Sequence, residues 1–227
     1  MLICLAISAS LVCGAQVKTR CDQPYPCVPE GTDEVIVWHE RIHVSYNRIL
    51  HIPNWVSYVV RSGEAQDLSG SAKPAPVEDP FIDGTFSEGY ISAHGYRAGY
   101  LIPSQPVSST LCPFRPEALK VWRQIDAKCL EWAERFGFVI VTCATDQRPT
   151  LKNKSCGEIV PPRVFYKTVF AKVNGHYEGI GFIVVNTPLD VELVLEECLC
   201  PVSMLEYLSD YKMFPPYEVR YRPDIWE

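Results

Sequence analysis

The sequence predicts a single α+β domain with a central, mostly antiparallel sheet, one long helix and a short C-terminal helix. Three observations predict it. "EVIVWHERIHVSYN" and "NWVSYVVRS" alternate apolar and polar residues and are rich in β-branched and aromatic side chains, the pattern of half-buried strands. "RPEALKVWRQIDAKCLEWAERFG" places Leu119, Trp122, Ile125, Cys129, Ala133 and Phe136 at helical spacing. "FVIVTC", "RVFYKTVFAKV" and "GIGFIVVN" then return to strand-like composition. Strands on both sides of one long helix define the class. With 227 residues, 47% of them hydrophobic, the chain can bury one substantial core and is too short for two large ones.

Residues 1–15, "MLICLAISASLVCGA", form an apolar run ending in small residues. The run is too short to span a bilayer and suits a signal peptide cleaved after Ala15. An arm containing Cys and Pro follows over residues 16–33, and the domain occupies 34–227. The first two strands are separated by a turn around Pro53 and Asn54. Residues 62–80 form a polar loop rich in Gly, Ser and Pro. Pro116 suits the first turn of the long helix and Gly137 its end. "FVIVTC" and "GIGFIVVN" are nearly all apolar, which predicts central strands. In "SMLEYL", Ser203 and Glu206 fit a capping box for the last helix.

Composition narrows the function. A net charge of −6 argues against a protein held to nucleic acid by bulk charge, while leaving room for a local basic groove. Two of the ten cysteines lie in the leader. The other eight (Cys21, Cys27, Cys112, Cys129, Cys143, Cys156, Cys198 and Cys200) predict disulfides in an exported chain, although eight cysteines allow 105 pairings. Their spacing is not that of a zinc knuckle. Asn153-Lys154-Ser155 is a glycosylation sequon. All these features predict a secreted, extracellular protein with no stable membrane insertion.

The stretch "GYRAGYLIP", residues 95–103, decides the functional reading. It falls between "HVSYNRILHIPNWVSYVV" and "VWRQIDAKCLEWAERFGFVIVTC", with "VPPRVFYKTVF", "GIGFIVVN" and "SMLEYLSDYKMFP" beyond. In that order and spacing, from about His43 to Pro215, the chain resembles the DNA/RNA non-specific endonucleases of the ββα-metal fold, the family of secreted bacterial nucleases and endonuclease G. The resemblance implies a nuclease-like fold, DNA or RNA as partner, and one Mg²⁺ as cofactor.

The departures fall in the chemistry. The family's motif, Gly-Tyr-Asp-Arg-Gly-His-Leu-Ala-Pro, has its general base at the position of Tyr100, and a phenol with a reference pKa near ~10 is a poor base at neutral pH. Arg97-Ala98 replaces the family's Asp-Arg, and Arg97 points away from the Ala98 side if this is a strand. Ala118 stands where the family's metal-binding asparagine would be. Asp126, near the family's acidic helix residue, remains the one carboxylate for a metal-bound water, thin support for Mg²⁺. His94 is the only histidine near the motif and the best placed to substitute as a base, since a neutral imidazole can serve near pH 7. The other four (His39, His43, His51 and His176) read as structural.

The preferred reading is a pseudonuclease that keeps the scaffold, needs no Mg²⁺ and acts by binding nucleic acid or a protein. The alternative is an active metal-dependent endonuclease with chemistry rearranged around His94 or Asp126. A third is a cystine-rich interaction protein that shares only the fold.

Overall fold

The computed structural model describes residues 36–39, 41–64, 76–103, 107–146, 159–188, 192–214, 219–222 and 226. The predicted leader and arm, the sequon, Cys21, Cys27, Cys156 and most of the polar loop lie outside these residues.

The first strand-like run folds as two strands, β1 (Ile36–Trp38) and β2 (Ile42–Asn47), paired antiparallel. The chain reverses where His39 N donates to Ile42 O at 2.9 Å. The next turn lies earlier than expected. Asn47 Oδ1 accepts from Ile49 N and Leu50 N at 3.0 and 2.9 Å, and His51 takes the left-handed conformation with φ 57°. This is an Asx-type turn, which asparagine forms readily. Pro53 and Asn54 therefore belong to β3 (Ile52–Arg61) and not to a turn. The β2–β3 register shifts between Ser45 and Tyr46, and such a bulge is one of the places where a sheet tolerates proline. Asn54 Nδ2 fixes the irregularity by donating to Ser45 Oγ at 3.0 Å.

The main sheet continues through β6 (Phe138–Thr145), β7 (Val164–Val173) and β8 (His176–Val185) in the order β1-β2-β3-β6-β7-β8, all antiparallel. The far edge of β8 is shared by β9 (Leu199–Cys200), antiparallel, and β10 (Val219–Tyr221), parallel. Of the two apolar runs, "FVIVTC" is central as β6. "GIGFIVVN" is the last full-length strand, and it is apolar because both of its faces are covered.

The long helix, α2 (Pro116–Phe136), starts and stops as its sequence predicts, and Gly137 closes it at φ 85°. It covers one face of the sheet, where Val56, Tyr58, Val141, Phe165 and Val169 meet Trp122, Ile125 and Trp132. Helix α3 (Val202–Ser209) covers the other, burying Val202 and Leu205 against Trp55, Ile140 and Phe170. The predicted capping box is not formed: α3 starts one residue before Ser203, and its cap Pro201 makes no side-chain bond. Glu206 instead accepts from Met213 N at 3.0 Å. A further helix, α1 (Glu88–Ala93), was not anticipated; Ser87 Oγ caps it by accepting from Tyr90 N at 3.1 Å.

The five described cysteines, Cys112, Cys129, Cys143, Cys198 and Cys200, are free thiols, which corrects the disulfide expectation for them. Cys112, Cys129 and Cys143 act as small apolar groups in the large core, where burial pushes the Cys143 thiol up to about 12. A core of this size needs no staple at those positions. Among the described residues, no helix is long and apolar enough to cross a membrane.

Candidate functional site

The motif stretch builds a two-stranded ribbon, β4 (Arg97–Tyr100) with β5 (Leu111–Phe114), lying beside α2. Side chains alternate along it. Tyr96, Ala98 and Tyr100 pack in a small cluster with Ile91, Leu111 and Ile159. Arg97 and Gly99 leave by the opposite face. The motif's glycine has a steric cause there: a Cβ on Gly99 would come within 2.7 Å of Leu119 Cδ1 and of Phe114 Cδ2. Leu101 and Ile102 then enter the main core, and Leu101 N donates to Thr110 O at 2.9 Å.

Of the four candidate catalytic residues, Tyr100 and His94 lie at the ribbon and its adjoining helix without meeting. The Tyr100 hydroxyl donates to Glu88 Oε1 at 2.9 Å. Partial burial and this carboxylate raise the phenol well above its ordinary pKa, so it keeps its proton at any physiological pH. His94, the C-cap of α1, donates from Nδ1 to Tyr90 O at 2.8 Å, with its ring 4.4 Å from that of Tyr90. Arg97 is exposed and turns away from Tyr100.

Asp126 sits elsewhere, on the inner face of α2, where it pairs with the wholly buried Lys167 of β7. Lys167 Nζ also lies 3.7 Å above the Trp122 ring. Burial works against the lysine's charge, but the Asp126 carboxylate outweighs it and raises the pKa, so the amine stays protonated. Ala118, which the sequence resemblance aligns with a metal-binding asparagine, turns its methyl into the core. Among the described residues no group of three or more His, Cys, Asp or Glu side chains can hold an ion. A methyl and a carboxylate already neutralised by lysine do not fit the oxygen octahedron of Mg²⁺.

The structure adds residues that the sequence did not single out. Asn186 is buried where the main sheet meets the ribbon, and its side-chain amide is bonded at both ends. Its Oδ1 accepts from Arg115 N at 2.7 Å, its Nδ2 donates to Pro113 O and Pro162 O at 3.2 and 2.8 Å, and its N donates to Arg163 O at 2.8 Å. This junction brings Arg115 and Arg163 to the end of the ribbon that carries Arg97. The Arg115 guanidinium lies 5.1 Å over the Tyr96 ring, and its Nε is buried without a partner. Among the described residues, no carboxylate pairs with any of the three arginines. A Pro-x-Arg or Phe-Arg-Pro pattern has no periodicity that would mark it, so this grouping was not legible.

An eight-stranded sheet carrying a long helix and a short ribbon on one face defines a nuclease-like α+β fold. Among solved structures 125 chains match it. One is a chain from the crystal structure of the EndoG/EndoGI complex, which concerns the mechanism of EndoG inhibition. The match has a TM-score of 0.64 and 14% identity, and it covers 82% of this chain and 87% of that one. No family model matches the sequence, and no curated protein does. The likeness is therefore one of fold.

Proposed function

We propose that this protein is an exported, nuclease-fold binding protein that does not cleave phosphodiesters, needs no Mg²⁺ and holds nucleic acid near the β4–β5 ribbon. The observation that carries the reading is the Tyr100–Glu88 hydrogen bond. A general base must present a lone pair to water near neutral pH; this phenol donates its proton to a carboxylate that raises its pKa further. The buried methyl of Ala118 and the sealed Asp126–Lys167 pair support the same reading.

Nucleic acid is favoured over a protein partner by Arg97, Arg115 and Arg163. Their charges meet no carboxylate among the described residues, and guanidinium groups pair with phosphate in two-pronged geometry. Export rests on the apolar run at residues 1–15. The test is incubation of the purified protein with plasmid DNA and RNA in Mg²⁺ or Mn²⁺, against an EDTA control. Intact substrate in every lane supports the reading, and metal-dependent cutting overturns it in favour of rearranged chemistry.

A further inference from the structure

A second constellation lies between the β1–β2 hairpin and the segment entering at Val77. The side chain of Asp79 is closed to solvent. Its Oδ2 accepts from His39 Nε2 at 3.0 Å and Ser109 Oγ at 2.5 Å, and its Oδ1 accepts from Phe81 N at 3.0 Å. Asp79 N in turn donates to Ser108 Oγ at 3.0 Å. Three hydrogen bonds thus fix the carboxylate, a fourth fixes its backbone, and the imidazole is held with them.

A carboxylate only accepts, so in the neutral ring Nε2 carries the proton and Nδ1 carries the lone pair. Nδ1 has no hydrogen-bond partner among the described residues and is not sealed from solvent, the His39 side chain being 21% exposed. The imidazole lies 5.8 Å from the ring of Phe81, which is itself 62% exposed. His43, the neighbouring imidazole, is held neutral: burial and His39 push its pKa down to about 4. Ser109 bonds the same oxygen as His39, so it supports the carboxylate and is not placed as a nucleophile.

We propose that His39, positioned by Asp79, is the general base of a second site that hydrolyses esters whose aromatic group packs on Phe81. His39 Nδ1 takes a proton from water as the water oxygen bonds to the ester carbonyl carbon. The tetrahedral adduct collapses with cleavage of the bond to the aryloxy oxygen, and the imidazolium returns the proton to that oxygen. Water is the only co-reactant, and nothing is oxidised or reduced. Asp79 stays ionised and stabilises the imidazolium, as an orienting carboxylate does. The site is independent of the ribbon and of the binding function proposed there.

The test is hydrolysis of p-nitrophenyl acetate by the intact protein between pH 6 and 8. The expected result is saturable release of p-nitrophenol that falls at least about a hundredfold in His39→Gln, the low end for a lost general base. Phe81→Ala raises KM more than it lowers kcat. Asp79→Asn, which allows the opposite tautomer, lowers kcat and shifts its pH profile. Equal rates in wild type and a folded His39→Gln overturn the proposal. Should that variant fail to fold, wild-type protein treated with diethyl pyrocarbonate decides: hydrolysis lost in step with carbethoxylation of His39 supports the site, and hydrolysis that survives it overturns it.

Discussion

Single residues set the chemistry here, and Tyr100 is the clearest case. Its phenol is spent on Glu88, so returning histidine to that position is not enough. Tyr100→His leaves plasmid cleavage in Mg²⁺ undetectable, because Ala118 still offers no metal ligand and Arg97 still leaves the other face of β4. The same assay run on Tyr100→His checks this. His43 governs a different property. Its pKa is about 4 in the fold against an ordinary 6.5. Burial of the neutral ring therefore contributes stability that is fully present above pH 6.5 and lost as pH falls toward 4. One proton limits this slope to about 1.4 kcal/mol per pH unit. Urea midpoints across that range fall less steeply in His43→Phe than in the wild type. The residues at 97, 98, 100 and 118 were legible in the sequence as departures from the family pattern that it resembles. The partner of Tyr100 was not, because Glu88 lies on a helix too short to give a periodic signal.

At the scale of elements, the ribbon and the long helix are fitted to each other through a glycine. Gly99→Ala forces a Cβ into Leu119 and Phe114, and overpacking of that kind costs about 1–3 kcal/mol. A fall in thermal midpoint with unchanged far-UV dichroism is the expected outcome. Helix α2 and strand β7 are joined by the Asp126–Lys167 pair. Lys167→Met alone leaves a buried carboxylate uncompensated and costs about 3–5 kcal/mol, while Lys167→Met with Asp126→Leu recovers most of that loss. Urea unfolding of both variants separates these cases. Long elements were read correctly from their periods: α2 ends where Pro116 and Gly137 place its ends. Short ones were not. The turn at Asn47 was assigned to Pro53 because proline is the louder signal, yet a bulge in β2 lets the proline stay in its strand. The capping box failed because Glu206 has a better partner in Met213 N.

For the whole molecule, sheet, helix and ribbon form a nuclease-like fold. The order of strand-like and helix-like runs was enough to predict the α+β class, since large buried faces leave strong patterns. That Arg115 and Arg163 come to the same end of the ribbon as Arg97 was not predictable, because it depends on how Asn186 ties the end of the sheet to the ribbon. A net charge of −6 describes the whole surface and says nothing of that end. The central claim, binding without cleavage, is tested most directly by fluorescence anisotropy of an end-labelled single-stranded oligonucleotide with Mg²⁺ present, followed by sizing of the recovered strand. The account predicts saturable binding that weakens with salt, weakens further in Arg97→Ala/Arg115→Ala, and returns the strand at full length. Shortened strand, or affinity unchanged by both salt and the double substitution, would contradict it.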